Sequence, residues 1–132
     1  MRIMKLGAAA MLLGVAACGD DGMPGGGACT ASFAMIGITV VDGGGQPVPD
    51  ASVTATLVRT GQVLVPTTLM LTVPGTYVLV DDGSTHLIRR SGDAVQARIA
   101  KGATSVVADY VLAVEGGCHV SKVSGPDSVT LN

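Results

Sequence analysis

The sequence predicts an all-β protein, a single β-sandwich of Greek-key type built from eight to nine short strands. Three observations predict it. Apolar and polar residues alternate with period two in several segments, which is the signature of strands with one buried face. Gly and Pro turn signals separate those segments at short, regular intervals. The chain is also rich in β-branched residues and nearly devoid of aromatics, with Phe33, Tyr77 and Tyr110 the whole set. Val, Ile, Leu, Met and Ala must therefore fill the core, a composition that favours strands.

The elements follow in chain order. Residues 32–41 form a first apolar run, halted by Asp42-Gly43-Gly44-Gly45. Residues 51–58 alternate, with Ala51, Val53, Ala55 and Leu57 on one face and Ser52, Thr54, Thr56 and Val58 on the other. Arg59-Thr60-Gly61-Gln62 reads as a hairpin turn. Two further runs, residues 63–65 and 68–73, are split by Pro66, which suits an edge or a bend. Pro74-Gly75 turns the chain into a short strand over 76–80, ended by Asp81-Asp82-Gly83.

Residues 86–90 are expected as another short strand before the Ser91-Gly92-Asp93 turn. Over residues 94–100, Val95, Ala97 and Ile99 alternate with Gln96 and Arg98. Lys101-Gly102 then leads into a long run over 104–114, where Val106, Ala108, Tyr110 and Leu112 share a face and Asp109 takes the other. Residues 118–123 and 128–131 close the domain. No segment offers a helical stripe with caps, and no repeat of 20–50 residues is visible.

The N-terminus carries a different signal. Arg2 and Lys5 precede an apolar stretch from Leu6 to Val15, followed by the small residues Ala16 and Ala17 and then Cys18. Val15-Ala16-Ala17-Cys18 resembles a bacterial lipobox, which implies a cleaved signal peptide over 1–17 and a lipid on Cys18. The apolar stretch is too short to cross a bilayer core of ~30 Å as a permanent helix. Gly19 follows the cysteine, where many inner-membrane lipoproteins of enteric bacteria carry aspartate. By that resemblance the protein is exported and held at the cell envelope, at the bacterial outer membrane. Residues 18–28 then form the lipidated cysteine and a polar, Gly-rich tether, and residues 29–132 form the β-sandwich.

Cleavage of residues 1–17 from a 132-residue chain leaves 115, enough for one domain with a modest core. It also takes two of eight basic residues, leaving six against ten acidic, formally −4. That balance argues against nucleic acid as a partner, and Arg89-Arg90 is too short to be a polybasic patch. Of three cysteines, Cys18 goes to lipid, and Cys29 and Cys118 remain as an even pair in an exported protein. A disulfide is their default fate in an oxidising compartment. Two free thiols, or a metal pair helped by His86 or His119, are the competing reading.

A second resemblance rests on Gly37-Ile38-Thr39-Val40-Val41-Asp42, followed by Gly45-Gln46-Pro47-Val48-Pro49-Asp50-Ala51-Ser52-Val53. This strand, Asp/Gly turn, Gly-x-Pro-Val and second strand are similar to the opening of a carboxypeptidase regulatory-like domain. Gly75-Thr76-Tyr77 resembles the Gly-x-Tyr that starts a later strand there. The resemblance implies a transthyretin-like, immunoglobulin-like sandwich, with Tyr77 as a packing residue. It also implies a non-enzymatic module that serves as spacer, stabiliser or interaction surface.

The candidate chemical sites are weak by comparison. Asp81-Asp82-Gly83-Ser84 could offer oxygens to calcium, but it lacks alternating acids and a distal Glu, and turn chemistry explains it more simply. Gly43-Gly44-Gly45 opens no helix that could cradle a phosphate. Ser, His and Asp are present without a Gly-x-Ser-x-Gly elbow or any other organising motif. The expectation is a protein with no catalytic residues, no cofactor and no metal. It attaches to the membrane through the lipid on Cys18, as a structural or accessory surface module. The alternative is a binding module whose loops or edge strand capture a peptide, an envelope polymer or a partner protein.

Overall fold

The computed structural model describes residues 29–67 and 71–132. The expected signal peptide over 1–17, Cys18 with the expected tether to residue 28, and residues 68–70 lie outside the described residues. Eight strands form: β1 (Met35–Val41), β2 (Ser52–Leu57), β3 (Val63–Leu64), β4 (Thr76–Asp81), β5 (Asp93–Lys101), β6 (Thr104–Glu115), β7 (His119–Ser124) and β8 (Ser128–Thr130). They make two sheets, three strands in the order β4-β1-β8 and five in the order β3-β2-β5-β6-β7. One apolar core contains residues of both sheets, so the expected all-β, two-sheet architecture is present.

The five-stranded sheet follows the period-two pattern closely. Along β5, Asp93, Val95, Ala97 and Ile99 are buried while Ala94, Gln96 and Arg98 are exposed. Opposite it on β6, Ala108, Tyr110, Leu112 and Val114 point inward, and the pairs Val95↔Tyr110 and Ala97↔Ala108 place a large ring beside small neighbours. A two-residue turn joins the strands after Lys101↔Thr104, with Gly102 supplying the positive φ (58°) that such a hairpin turn needs. Ile99, Leu112, Leu57 and Leu64 are almost fully buried. Each such side chain contributes about 1.5–3 kcal/mol relative to exposure.

The three-stranded sheet is less regular. β1 sits between antiparallel β4 and parallel β8, and sends Ile36, Ile38 and Val40 into the core. Within β4, Tyr77, Val78, Leu79, Val80 and Asp81 are all buried, so this strand is covered on both faces. The connection from β3 supplies part of that cover: Leu71 N–H donates to the Thr76 carbonyl at 3.2 Å. The Leu71 side chain also lies against the face of Gly37.

Between β1 and β2 the chain reverses around Asp42. Its carboxylate accepts the N–H groups of Gly44 and Gln46, both at 2.9 Å, and its own N–H donates to the Gln46 carbonyl at 2.8 Å. Tyr77 is buried, and its hydroxyl donates to the Val48 carbonyl at 2.6 Å while accepting the Ala51 N–H at 2.9 Å.

Three expected elements differ. Residues 86–90 form no strand, because turns there satisfy the backbone locally: Leu87 N–H donates to Ser84 O, Gly92 N–H to Arg89 O, and Arg89 N–H to the Asp93 carboxylate. From this segment Ile88 is buried in the core and Leu87 packs partly buried against it. Residues 71–73, in the second half of the 68–73 run, are likewise not strand, and β1 begins at Met35 rather than at residue 32.

Candidate functional site

The densest set of chemically able side chains lies where the described chain begins. Cys29 and Cys118 form a disulfide with their Cα atoms 5.3 Å apart, across a sequence separation of 89. The expected pairing is thus present, and the free-thiol and metal-pair readings fall. Cys18, the expected lipid site, is outside the described residues.

Each half-cystine is followed by a residue of the same cluster. Thr30 Oγ1 lies 2.8 Å from His119 Nε2, and His119 Nδ1 lies 2.6 Å from Asp82 Oδ2. Asp82 also accepts the N–H of Ala34 on Oδ2 at 2.8 Å and the N–H of Val120 on Oδ1 at 2.9 Å. The row runs hydroxyl, imidazole, carboxylate. It joins the segment before β1, the first residue of β7 and a short 3-10 turn over Asp82–Ser84.

Electrostatics fix the roles in this row. Burial opposes ionisation of Asp82, but the N–H of Ala34, the His119 ring and the N–H of Val120 outweigh it and hold the carboxyl below the usual carboxylate range. An ionised Asp82 can only accept, so His119 Nδ1 carries a proton toward it. In the neutral ring Nε2 is then an acceptor, and the Thr30 hydroxyl donates to it. The His119 side chain is 26 % exposed and Asp82 12 % exposed, while Thr30 is open to solvent.

Asp81 serves a different connection. It is fully buried and takes the N–H and hydroxyl of Thr67 at 2.6 Å each, plus the Gly83 N–H at 3.0 Å. The Asp81-Asp82-Gly83-Ser84 segment is therefore a turn whose carboxylates are spent on protein donors, as the simpler reading had it. A second buried aspartate, Asp93, holds the Arg59 guanidinium by two hydrogen bonds of 2.9 Å and accepts the Arg89 N–H at 2.9 Å. The Arg59 guanidinium, against the opposing effect of burial, pushes the Asp93 pKa down to about 2.

The other sequence candidates stand apart. Gly43, Gly44 and Gly45 lie in the exposed Asp42 turn, and His86 is exposed on the turn after Ser84. Among the described residues no group of three His, Cys, Asp or Glu is placed to hold a metal. No helix among them is long and apolar enough to cross a membrane. A cleft of about 380 Å³ runs between β2 and β4, lined by Ser52, Val53, Thr54, Tyr77 and Val78. A second, of about 270 Å³, lies beside Pro47, Lys101 and Leu131. Neither reaches His119.

No spacing motif links Thr30, His119 and Asp82, which are 37 to 89 residues apart. The one available signal was adjacency: Thr30 and His119 each follow a half-cystine, so pairing Cys29 with Cys118 must bring their neighbours together. Compared with protein-family models, curated proteins and solved structures, the chain matches none. Fold and site together define a disulfide-closed, two-sheet β domain with a hydroxyl–imidazole–carboxylate row at its N-terminal end.

Proposed function

We propose that the protein is a lipid-anchored cell-envelope protein, exported and attached through Cys18 at the bacterial outer membrane, whose β domain is a structural or accessory surface module. One observation carries the reading. Three cysteines are present and two of them are tied to each other, so Cys18 has no cysteine left in the chain to pair with. A lipobox cysteine uses its sulfur for lipid instead. Several acyl chains make such attachment durable where one would be marginal.

The location of the disulfide supports the same reading. Tension arriving along a tether from Cys18 meets a covalent crosslink at Cys29 before it reaches β1. The Asp42 reversal and the Tyr77 hydroxyl bonded to Val48 support the resemblance to carboxypeptidase regulatory-like domains and to their Greek-key sandwich. A second reading, capture of a peptide, an envelope polymer or a partner protein, is favoured by the cleft between β2 and β4. There β3 pairs only with Ala55 and Thr56, and Ser52 to Thr54 border the open side.

The test is Cys18→Ala expressed in a bacterium that processes lipoproteins. The variant should lose signal-peptide cleavage and leave the membrane fraction, while keeping the Cys29–Cys118 crosslink. A Cys18→Ala protein that is still cleaved and still sediments with outer membranes would overturn the anchoring.

A further inference from the structure

We propose that Thr30 is a reactive hydroxyl, activated by His119 and Asp82 to accept acyl groups from carboxylic esters. The inference goes beyond the anchoring reading and does not depend on it. A threonine hydroxyl alone is a poor nucleophile near neutral pH, and two conditions change that: a base within hydrogen-bond reach, and a third group that orients the base. Both are met, with Oγ1 at 2.8 Å from Nε2 and Nδ1 at 2.6 Å from the Asp82 carboxylate.

The row is built to stay aligned. Asp82 is held by backbone N–H groups of two separate segments, at Ala34 and at Val120, so its carboxylate has little freedom to turn. The disulfide fixes the residues immediately before Thr30 and His119, with Cα atoms 5.3 Å apart. Nucleophile and base thus descend from one crosslink, which cuts the conformational search that aligns them. The ionised Asp82 also selects the ring tautomer with a free lone pair on Nε2, the one a general base needs. Thr30 faces solvent, so a bulky acyl donor can approach.

The chemistry balances within the protein and its substrate. Oγ1 attacks the ester carbonyl carbon and its proton passes to His119 Nε2. The Oγ1–C bond forms, the C–O bond to the leaving alcohol breaks, and that alcohol departs with the proton from Nε2. The acyl group remains on Thr30, and water later cleaves it to a carboxylic acid and restores the hydroxyl. With a fluorophosphonate the same attack forms Oγ1–P, breaks P–F and expels fluoride, leaving a stable adduct.

The experiment treats the purified full-length protein, disulfide intact, with a fluorophosphonate probe and maps the adduct by peptide mass spectrometry. The expected result is one adduct, on Thr30. The His119→Ala variant should label at least ~100-fold more slowly, the usual scale for loss of a general base. Thr30→Ser should still label, and Thr30→Val, which changes only an exposed side chain, should not. No adduct on the wild-type protein overturns the proposal. So does labelling spread over Ser32 and other hydroxyls at similar yield, or a Thr30 rate unchanged in His119→Ala. A row that serves only to hold the chain would give one of these results.

Discussion

Replacing Cys29 and Cys118 together by serine should cost this protein about 4–5 kcal/mol of stability. The figure comes from the loop the crosslink closes. Opening a separation of 89 residues returns loop-closure entropy to the denatured chain, worth about 4–5 kcal/mol at 25 °C for that length. Other contributions are small, because Cys29 is exposed and Cys118 only half-buried, so serine leaves no cavity. Set against a total stability of about 5–15 kcal/mol for a domain of this kind, the variant is left marginal. Urea denaturation followed by far-UV circular dichroism reads the change. With a slope of about 1–3 kcal/mol/M, the midpoint should fall by roughly 1.3–5 M. The wild-type protein in reductant should match the double variant. A double variant within ~1 kcal/mol of the oxidised protein would refute the reasoning, since loop closure would then contribute little.

Two further outcomes can be checked on the same footing. The Asp93 carboxyl has a folded pKa of about 2, below its unfolded value of about 3.9. Its pairing with Arg59 therefore stabilises the fold above pH ~4, and that contribution disappears as pH falls through about 2. The Arg59 side chain is 34 % exposed, so the loss is on the order of 1–2 kcal/mol once solvent screening is counted. Asp93→Asn should flatten the acid limb of the urea-midpoint profile in this window, and a profile superposing on wild type would contradict the assignment. Gly125→Ala should lower Tm sharply. At φ 131° a new Cβ would collide with the Tyr110 ring, and such overpacking with backbone strain costs about 2–4 kcal/mol.

The parts of this fold visible in the sequence are those governed by local alternation. β2, β5 and β6 each carry an apolar face at period two, and their boundaries fall within one or two residues of expectation. The disulfide was also legible, since an even pair of cysteines remains once Cys18 is set aside by its resemblance to a lipobox. Residues 86–90 were not, because His86, Leu87 and Ile88 resemble a strand while hydrogen bonds to Ser84 and Asp93 keep them in turns. Nothing local announces that Asp93 reaches back to Arg59 across 34 residues, or Asp82 forward to Val120 across 38. Of the Thr30–His119–Asp82 row only the nearness of Thr30 to His119 was legible, through the cysteine that precedes each, and the place of Asp82 was not. The row is assembled by tertiary contact, and the residue types involved are common in turns.

These long-range aspartates explain how so plain a core specifies one arrangement. Apart from Tyr77 and Tyr110, the buried apolar residues are aliphatic, and aliphatic positions exchange partners at small cost when volume is kept. Carboxylates do not exchange so freely. A buried one left without donors costs more than its net bond is worth, because desolvation is then uncompensated. Asp81 draws in Thr67, Asp82 draws in Ala34 and Val120, and Asp93 draws in Arg59 and Arg89. Each bond ties a loop or strand end to one place between sheets that the aliphatic core alone would leave free to slide. Asp82 differs from the other two in one respect: a histidine takes part, and beyond it stands a hydroxyl open to solvent. At Asp81 and Asp93 the chain of bonds passes directly to an exposed Thr67 or Arg59, with no imidazole between. At Asp82 it ends at Thr30, on the surface, where anchoring and reactivity can share the same three side chains.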